Sequence, residues 1–257
     1  RFNFGISPGG LISDAELFGN LKKDRSAMFL EGINTILKIW STEAPYKIKG
    51  EYWNVTTENT LIEDIGQGYM TRPFQRPHPP IIVTAVAPYS KGVSEAAARG
   101  WKPISADIIM PNWVKTHWEK YVEGCKKGKL IPSKNDWRIA KTVFVAEDLK
   151  KAREYALGPN SPYVFYFKQL FKKFVALGKL ELFKSSLNQP DNDITLEKVC
   201  EELIIWGTPE KVFDDLSSFR DEVGDFGMLM YAGVDWLEPS LAKKSMSLMA
   251  EKVNPLL

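Results

Sequence analysis

The chain is poor in the residues that metal-dependent and thiol-dependent catalysts use. Its 257 residues include two cysteines, Cys125 and Cys200, which are far apart and form no C-x-x-C pair, and two histidines, His78 and His117. Such low thiol content is typical of a reducing compartment, so we expect a cytoplasmic protein in which both cysteines are buried apolar residues. Several histidine or acidic ligands are what a metal site needs, and no metal site is predicted.

An excess of one charge and a long hydrophobic run are also missing. The 34 basic and 32 acidic side chains leave a net charge of +2, which gives no electrostatic case for nucleic acid or an acidic membrane surface. No apolar run approaches the roughly 20 residues of a membrane span, and no signal peptide is visible. Because 44% of the residues are hydrophobic, the chain can bury a sizeable core. The first residue is Arg1 rather than Met, and we expect the natural start to lie upstream.

One stretch, residues 79–101, organises the chain. Ile81 to Val86 is a short β-branched run that predicts a strand buried on both faces, and residues 93–99 predict a helix ended by Gly100. The turn between them leaves free backbone N–H groups at a helix start, which suits a phosphate. There Ser90 offers a hydroxyl and Lys91 a positive charge. An ordinary βα-loop without a ligand explains the same pattern.

Strand and helix patterns alternate five times, which predicts an α/β fold with a parallel sheet and right-handed crossovers. The predicted strands are 1–6, 81–86, 101–108, 137–145 and 226–231. The predicted helices include 24–41, which Asp24 caps, 112–127, 147–157, 161–178, one that ends near Trp206, one that Thr208 caps with Pro209 as its first residue, and 239–253. The choice lies between a doubly wound sheet and a (β/α)₈ barrel, for which about 250 residues are typical. Two long insertions, at about 42–78 and 159–193, occupy the rest, so the chain looks like the last five units of a barrel.

The ends of the predicted strands carry few titratable groups. Asp107 is the one carboxylate among them, whereas a glycosidase needs two. His78 precedes its strand, and His117 lies in a helix that should face outward, so a structural or solvent role is predicted for each. Gly5 to Gly10 has the glycine spacing of a P-loop but lacks its lysine, which excludes a nucleoside triphosphate site. No catalytic residue is assigned. A site with so few titratable groups suits a fold in which a cofactor supplies the reactive centre.

The helix predicted at 161–178 is unusually aromatic. Segments inserted near the top of a barrel often gate the site, so this helix is one candidate for a lid over an apolar substrate. Packing against the barrel or within a dimer is the alternative. Exposed Tyr and Phe side chains on one face would be compatible with both.

Five stretches, in order along nearly the whole chain, carry a family signature. They are R-F-N-F-G-I-S-P-G-G-L-I-S-D-A-E-L-F-G at the start, the helix around Asp24-Arg25-Ser26, G-E-Y-W at 50–53, R-P-H-P-P-I-I-V-T-A at 76–85 and G-T-P-E-K-V at 207–212. Together they resemble the luciferase-like flavin monooxygenases, in the limonene-monooxygenase and bacterial-luciferase branch. The resemblance implies a single TIM (β/α)₈ barrel domain over 1–257, incomplete because strands 4–8 are present and three βα units would precede Arg1.

The resemblance also implies a cofactor and partners. Reduced FMN, supplied by a separate flavin reductase, would activate O₂ to attack a small apolar substrate such as an aldehyde, an alkane or a terpene, in a homodimer. The cofactor-binding positions carried over are Ser7, Arg25, Val86, Ala87, Tyr89, Ser90 and Lys91. Pro8 stands where luciferase has an arginine, and the family's usual active-site histidine would precede Arg1.

Two other functions fit the same residues. The first is a non-catalytic flavin-binding protein of the same fold, because the catalytic N-terminal units are absent. The second is a deazaflavin-dependent oxidoreductase, which transfers hydride and does not activate O₂. We further expect the chain as it stands to bind FMN weakly or to need a partner that covers the edges of an open barrel.

Overall fold

The computed structural model describes residues 2–234 and 237–257. The chain divides into two compact units, Arg1–Val83 and Thr84–Leu257. In the part of the chain that the structure describes, no helix combines the length and the apolar character needed to cross a bilayer.

The first unit is built on a parallel strand pair. Its elements are β1 (Phe4–Ile6), α1 (Ile12–Leu17), α2 (Arg25–Ser41), β2 (Lys47–Lys49), β3 (Asn54–Thr56) and the start of β4 (Ile81–Ala85). Phe4 lies opposite Ile81 and Ile6 opposite Val83, so β1 and β4 run parallel. Two parallel strands need a long crossover, which α2 and the segment after it supply.

The irregular stretch at 46–76 contains a small hairpin, β2 paired with β3 in antiparallel fashion. The Glu31 carboxylate of α2 accepts hydrogen bonds from the backbone N–H groups of Glu51, Tyr52 and Trp53 at 2.8 to 2.9 Å. These three bonds fasten the hairpin turn to α2 and use backbone donors that have no strand partner.

The second unit continues β4 and adds four more strands of the parallel sheet together with their helices. Its further elements are α3 (Lys91–Ala98), β5 (Lys102–Ser105), α4 (Pro111–Lys127), β6 (Arg138–Val145), α5 (Leu149–Leu157), α6 (Pro162–Ala176), α7 (Leu196–Leu203), β7 (Ile204–Gly207), α8 (Pro209–Val223), β8 (Met228–Ala232) and α9 (Pro239–Leu248). A π-helical turn, Met249–Val253, extends α9.

Strand β6 lies at the centre of this unit and is paired in parallel along both edges. Arg138 lies opposite Ile104 of β5 and also opposite Met228 of β8, so these two strands occupy different edges. Thr142 is likewise shared by β7 and β8. Strands β5 and β7 therefore divide one edge of β6, and β8 takes the other. The predicted parallel sheet is confirmed.

The aromatic helix α6 packs into the main core of the second unit. Tyr163, Phe167 and Phe174 are buried in the cluster that also contains Trp137 and Phe144. The tilted contact between Phe144 and Tyr163, with ring centroids 6.1 Å apart, shows how the helix meets β6. These contacts favour the packing interpretation of the helix over a lid, although Phe165 stays 65% exposed.

Ser161 is the N-cap of α6 and is buried. Its Oγ accepts from the N–H groups of Tyr163 and Val164, both at 3.2 Å, and donates to the carbonyl of Ala156 at 2.7 Å. We expect Ser161→Ala to lower the free energy of unfolding by about 1–2 kcal/mol, because two helix-end donors lose their acceptor. Urea unfolding measures this, with Ser218→Ala on an exposed face of α8 as the control, expected within about 0.5 kcal/mol. Equal effects of the two substitutions would contradict the capping role.

Two predicted elements are wrong in extent or type. The helix predicted to end near Trp206 ends at Leu203, and Ile204–Gly207 is strand β7. β-branched and aromatic side chains favour a strand, and pairing with the end of β6 stabilises it. The strand predicted at 101–108 is reduced to Lys102–Ser105, because the chain then turns towards α4.

The strand that organises the chain is also shorter and less buried than predicted. β4 ends at Ala85, Thr84 is exposed, and Val86 is 42% exposed. A loop therefore begins one residue earlier, with Val86 as its first member. Helix α1 was not predicted, since Ile12–Leu17 is short and mostly exposed.

Candidate cofactor site

The first unit contains an apolar cavity of about 810 Å³ between β1, α1, α2 and β3. Ile6, Phe29 and Ile33 are among its apolar lining residues, and Ser7 and Arg25 contribute polar groups. Small-molecule sites typically have about 300–1,000 Å³. Two of the residues predicted to contact the cofactor thus line one cavity of suitable size.

Arg25 is the first residue of α2, and Asp24 fixes this position. The Asp24 carboxylate accepts from the N–H groups of Ser26 and Ala27 at 3.0 Å each, which confirms the predicted N-cap. The Arg25 side chain is half-buried, and it makes no ion pair with any described residue. A guanidinium group that lines a cavity without a carboxylate partner is available to an anionic ligand.

In the second unit, the loop after β4 holds the other predicted residues. Val86, Ala87 and Tyr89 are exposed, and Ser90 is half-buried just before α3. The Ser90 side chain does not cap α3, and among the described residues no side chain does. Lys91, the first residue of the helix, is exposed. The first backbone N–H groups of α3 therefore have no side-chain acceptor.

Two neighbouring residues of α4 contact this loop from behind. The Nε2 atom of His117 lies 2.9 Å from the carbonyl oxygen of Ala87, and the Tyr89 N–H donates to the Thr116 hydroxyl at 3.0 Å. The Thr116 hydroxyl in turn donates to the carbonyl of Trp113 at 2.6 Å. Both a carbonyl and an N–H of the loop are thus fixed by one helix.

A buried relay continues from His117 into the sheet. The Trp137 Nε1–H donates to Ser105 Oγ at 3.0 Å, and Ser105 Oγ lies 2.8 Å from Nδ1 of His117. The carbonyl of Ala87 can only accept, so the Nε2–H of a neutral imidazole donates to it. The Nδ1 atom is then an acceptor, and the hydroxyl of Ser105, which accepts from Trp137, donates its own proton to Nδ1. Every donor points in one direction, from the core to the loop.

His117 is fully buried, so the prediction that it faces outward is wrong, while the predicted structural role fits its contacts. Burial lowers the pKa of His117 to about 4, and the hydrogen bond to Ala87 opposes this only in part. The imidazole is neutral at physiological pH. Because the folded pKa is lowered, the folded state loses stability as the pH falls from about 6.5 to about 4.

Gly124 lets α4 approach α3 closely enough for His117 and Thr116 to contact the loop at 87–89. A Cβ atom at Gly124 would lie 2.1 Å from the carbonyl oxygen of Ser94. Any larger residue would push α4 away from the helix that begins at the loop. The backing of the loop therefore depends on this close contact.

Asp107, the predicted strand-end carboxylate, is buried and engaged. It accepts from the Thr142 hydroxyl of β6 at 2.8 Å. Burial and the nearby Asp107 carboxylate raise the pKa of Tyr166 to about 12. Asp107 thus links β6 to the aromatic helix, and no catalytic role is assigned to it.

The predicted residues fall into two groups. Ser7 and Arg25 line the cavity of the first unit. Val86, Ala87, Tyr89 and Ser90 lie in one loop of the second unit, and Lys91 follows as the first residue of α3. Their contact with a cofactor stays a prediction. Sequence reasoning missed the relay behind the loop, because its members lie on different elements and no local spacing connects them.

A family model described as luciferase-like monooxygenase matches residues 1–225. The chain belongs to this family. Membership confirms the resemblance on which the site residues were predicted, and it agrees with the parallel α/β sheet described above.

Relatives of the luciferase-like chain are distant in sequence. It is 24% identical over 244 residues to the 3,6-diketocamphane 1,6-monooxygenase of Pseudomonas putida, covering 92% of this chain and 63% of the relative. It is 21% identical over 258 residues to the limonene 1,2-monooxygenase of Rhodococcus erythropolis, covering 99% of this chain and 60% of the relative. The chain thus spans less than two thirds of the length of these relatives.

Solved structures confirm the fold class. The oxygenating component of 3,6-diketocamphane monooxygenase from Pseudomonas putida, a type II Baeyer–Villiger enzyme in complex with FMN, matches with a TM-score of 0.83 and 22% identity, over 98% of this chain and 70% of that one. An F420-dependent secondary alcohol dehydrogenase matches with a TM-score of 0.64 and 16% identity, over 99% and 69%. The luciferase-like chain therefore has the α/β fold of barrel-type proteins of this family.

Proposed function

We propose that this chain acts in a flavin-dependent monooxygenase, which uses reduced FMN and O₂ to oxidise a small apolar organic molecule such as an aldehyde, an alkane or a terpene. The observation that carries the proposal is that Ser7 and Arg25, which makes no ion pair with any described residue, line the same apolar cavity in a chain of the luciferase-like family. Bound reduced FMN would supply the activation of O₂.

The residues of the cavity fit the chemistry of FMN. The cofactor combines an anionic phosphate with a flat, largely apolar ring system. Arg25 offers a guanidinium group for the phosphate, and Ser7 offers a hydroxyl whose oxygen already accepts from the Gly9 N–H at 3.2 Å. The apolar walls suit the ring system.

For the loop of the second unit, taken by itself, a phosphate-binding role is also proposed. Val86, Ala87 and Tyr89 would shape it, and the N–H groups from Ser90 onward would donate to phosphate oxygens. The absence of a side-chain cap on α3 within the described chain supports this for the N–H groups of Lys91 and Gly92, whereas the Val93 N–H already donates to the carbonyl of Ser90 at 3.2 Å. Lys91 would add a positive charge at the same end of the helix.

The substrate class follows from the relatives and from the cavity walls. Two relatives are named for diketocamphane and limonene, which are small and apolar. Leu11, Phe18 and Met28 line the cavity together with the β1 residues. We infer a small carbon-rich substrate for this chain.

The partner enzyme, the oligomeric state, the location and the domain extent are proposed from family membership alone. A separate flavin reductase would deliver reduced FMN, and the enzyme would work as a homodimer in the cytoplasm. Residues 1–257 would form one luciferase-like barrel domain with insertions at about 42–78 and 159–193.

A deazaflavin-dependent oxidoreductase is the second candidate function. The matching F420-dependent alcohol dehydrogenase favours it, because the same fold there holds a deazaflavin. Such an enzyme would transfer hydride to or from its substrate, with no consumption of O₂. The third possibility, a flavin-binding protein without catalysis, shares the FMN site and lacks turnover.

The test supplies the purified chain with reduced FMN, isotopically labelled O₂ and either limonene or a diketocamphane, and measures the label in the product by mass spectrometry. Labelled product at about 1 per second or faster, the rate of an ordinary enzyme, would support the proposal and would contradict the expectation that the chain by itself binds FMN weakly. Labelling is needed because reduced FMN consumes O₂ without any protein. Tight FMN binding without product would favour the non-catalytic protein, and tighter binding of F420 than of FMN would favour the second candidate.

A further inference from the structure

The loop at 87–89 is held at two atoms whose positions set its direction. His117 fixes the carbonyl of Ala87, and Thr116 fixes the N–H of Tyr89, two residues further on. The outer side of this loop is exposed, whereas its inner side rests on α4. The loop therefore has one face available to a ligand and one face used for support.

Tyr89 makes such support necessary. Its φ angle of +49° lies in the left-handed region, which a bulky L-residue adopts only at a free-energy cost of about 1 kcal/mol or more. This conformation turns the chain between Ala87 and Ser90. Residues held in such a conformation persist where surrounding contacts fix them, and here Thr116 provides the contact.

The supporting side chains form a complete and directed hydrogen-bond relay. Trp137, Ser105 and His117 are each fully buried, and each polar atom of the relay has a partner. Burying an imidazole and a hydroxyl costs free energy that an apolar pair in the same place would avoid. The atom at the outer end of the relay is the carbonyl of the loop.

We propose that His117 and Thr116 are positioning residues, which hold the 87–89 turn so that the N–H groups from Ser90 onward point at the phosphate of the cofactor. The inference rests on the proposed function, because it concerns the same phosphate site. Neither side chain touches the cofactor, and each acts through a backbone atom of the loop.

Two polar substitutions of His117 separate positioning from general packing. Glutamine places an amide nitrogen near the position of Nε2 and keeps a donor for Ala87, but it loses the acceptor for Ser105. Asparagine places its carbonyl oxygen near the position of Nδ1 and keeps the acceptor for Ser105, but it loses the donor for Ala87. Each variant breaks one hydrogen bond of the relay, and only His117→Asn releases the loop.

The experiment measures the dissociation constants of FMN and of riboflavin for the full chain and for its variants by fluorescence titration. The ratio of the two constants reports the phosphate contact, and a partly unfolded sample lowers both affinities equally. We expect His117→Asn to reduce the preference for FMN about fivefold to tenfold, the size of one lost hydrogen bond. His117→Gln should keep the preference within about twofold of that of the unsubstituted chain.

Thr116→Val gives a second, independent measurement, because it removes the hydroxyl that accepts from the Tyr89 N–H and leaves His117 unchanged. It should reduce the preference for FMN in the same direction by about threefold or more. Circular dichroism of every variant checks that the second unit is folded.

The outcomes distinguish this inference from the function on which it rests. If the unsubstituted chain prefers FMN and the Asn and Gln variants keep or lose that preference equally, the positioning role is wrong and the phosphate site remains. If the unsubstituted chain binds riboflavin as tightly as FMN, the phosphate site and the positioning role are both wrong. A selective loss in His117→Asn and Thr116→Val supports both.

Discussion

Replacing Arg25 with glutamine is expected to weaken the binding of FMN about 10-fold to 100-fold and to leave the binding of riboflavin unchanged. A charge-assisted hydrogen bond from a guanidinium to a phosphate contributes roughly 1.5–3 kcal/mol, and riboflavin has no phosphate. Arg25 lines the cavity, is half-buried and makes no ion pair within the described chain, so its charge is not already neutralised. Calorimetric titration with both flavins measures the effect.

Lys22→Gln is the matched control for Arg25→Gln. Lys22 is exposed, lies three residues earlier in the chain and is not part of the cavity lining, yet the substitution changes the net charge by the same amount. We expect a change in FMN affinity below about twofold at physiological salt, because exposed charges are screened. A similar loss for both variants would mean that Arg25 acts through the general field and does not contact the phosphate.

Replacing Lys141 with methionine is expected to stabilise the folded protein by about 2–3 kcal/mol at neutral pH. Lys141 lies in β6 with 1% of its surface exposed, and its ammonium group lies 4.3 Å from the ring centroid of Phe219. Burial lowers the pKa of Lys141 to about 8, and the carboxylates of Asp107, Glu222 and Glu202 oppose this shift only partly. Methionine has a similar length and removes the buried charge.

The stabilisation expected for Lys141→Met depends on pH, because the pKa of Lys141 differs between the folded and the unfolded chain. In the unfolded chain the lysine titrates near 10.5 and in the folded protein near 8, so below pH 8 the full penalty of the buried charge is present. Between pH 8 and 10.5 the folded state releases its proton first, and the unsubstituted protein gains stability as the pH rises. The advantage of Lys141→Met should therefore shrink over this range.

Urea unfolding of the protein and of Lys141→Met at several pH values measures this difference. Lys172→Met replaces an exposed lysine of α6, and its effect should be within about 0.5 kcal/mol and independent of pH. Destabilisation by Lys141→Met at neutral pH would show that the three carboxylates hold the ammonium group more strongly than burial disfavours it.

Local signals in the sequence predicted those helices whose first residues include a capping side chain or a proline. Asp24 accepts from two N–H groups at the start of α2, and Thr208 with Pro209 begins α8 as predicted. Such caps depend on neighbouring residues only, so a single sequence reveals them. The same reasoning found the loop that follows β4.

Contacts between distant segments explain what the sequence did not predict. Ile204 to Gly207 continues an amphipathic helical pattern, and its pairing with β6 decides that it is a strand. The position of His117 in the pattern of α4 is not distinctive. Its role follows from the contacts that the fold creates with Ser105 and Ala87, between which the buried imidazole forms hydrogen bonds. Neither contact leaves a spacing signal in the sequence.

The site itself was predicted by a different route. Periodicity and helix-end chemistry indicated a phosphate loop or an empty βα-loop, and only the family resemblance connected that loop with Ser7 and Arg25. The structure adds the shared cavity of Ser7 and Arg25, which no local pattern contains, because β1 and α2 are brought together by the fold.

The relative affinity of the unsubstituted chain for FMN and for riboflavin tests the central claim most directly. The two ligands differ only in the phosphate, so the ratio of their dissociation constants isolates the phosphate contact that we propose. We expect FMN to bind at least about tenfold more tightly than riboflavin. Equal affinities would contradict it.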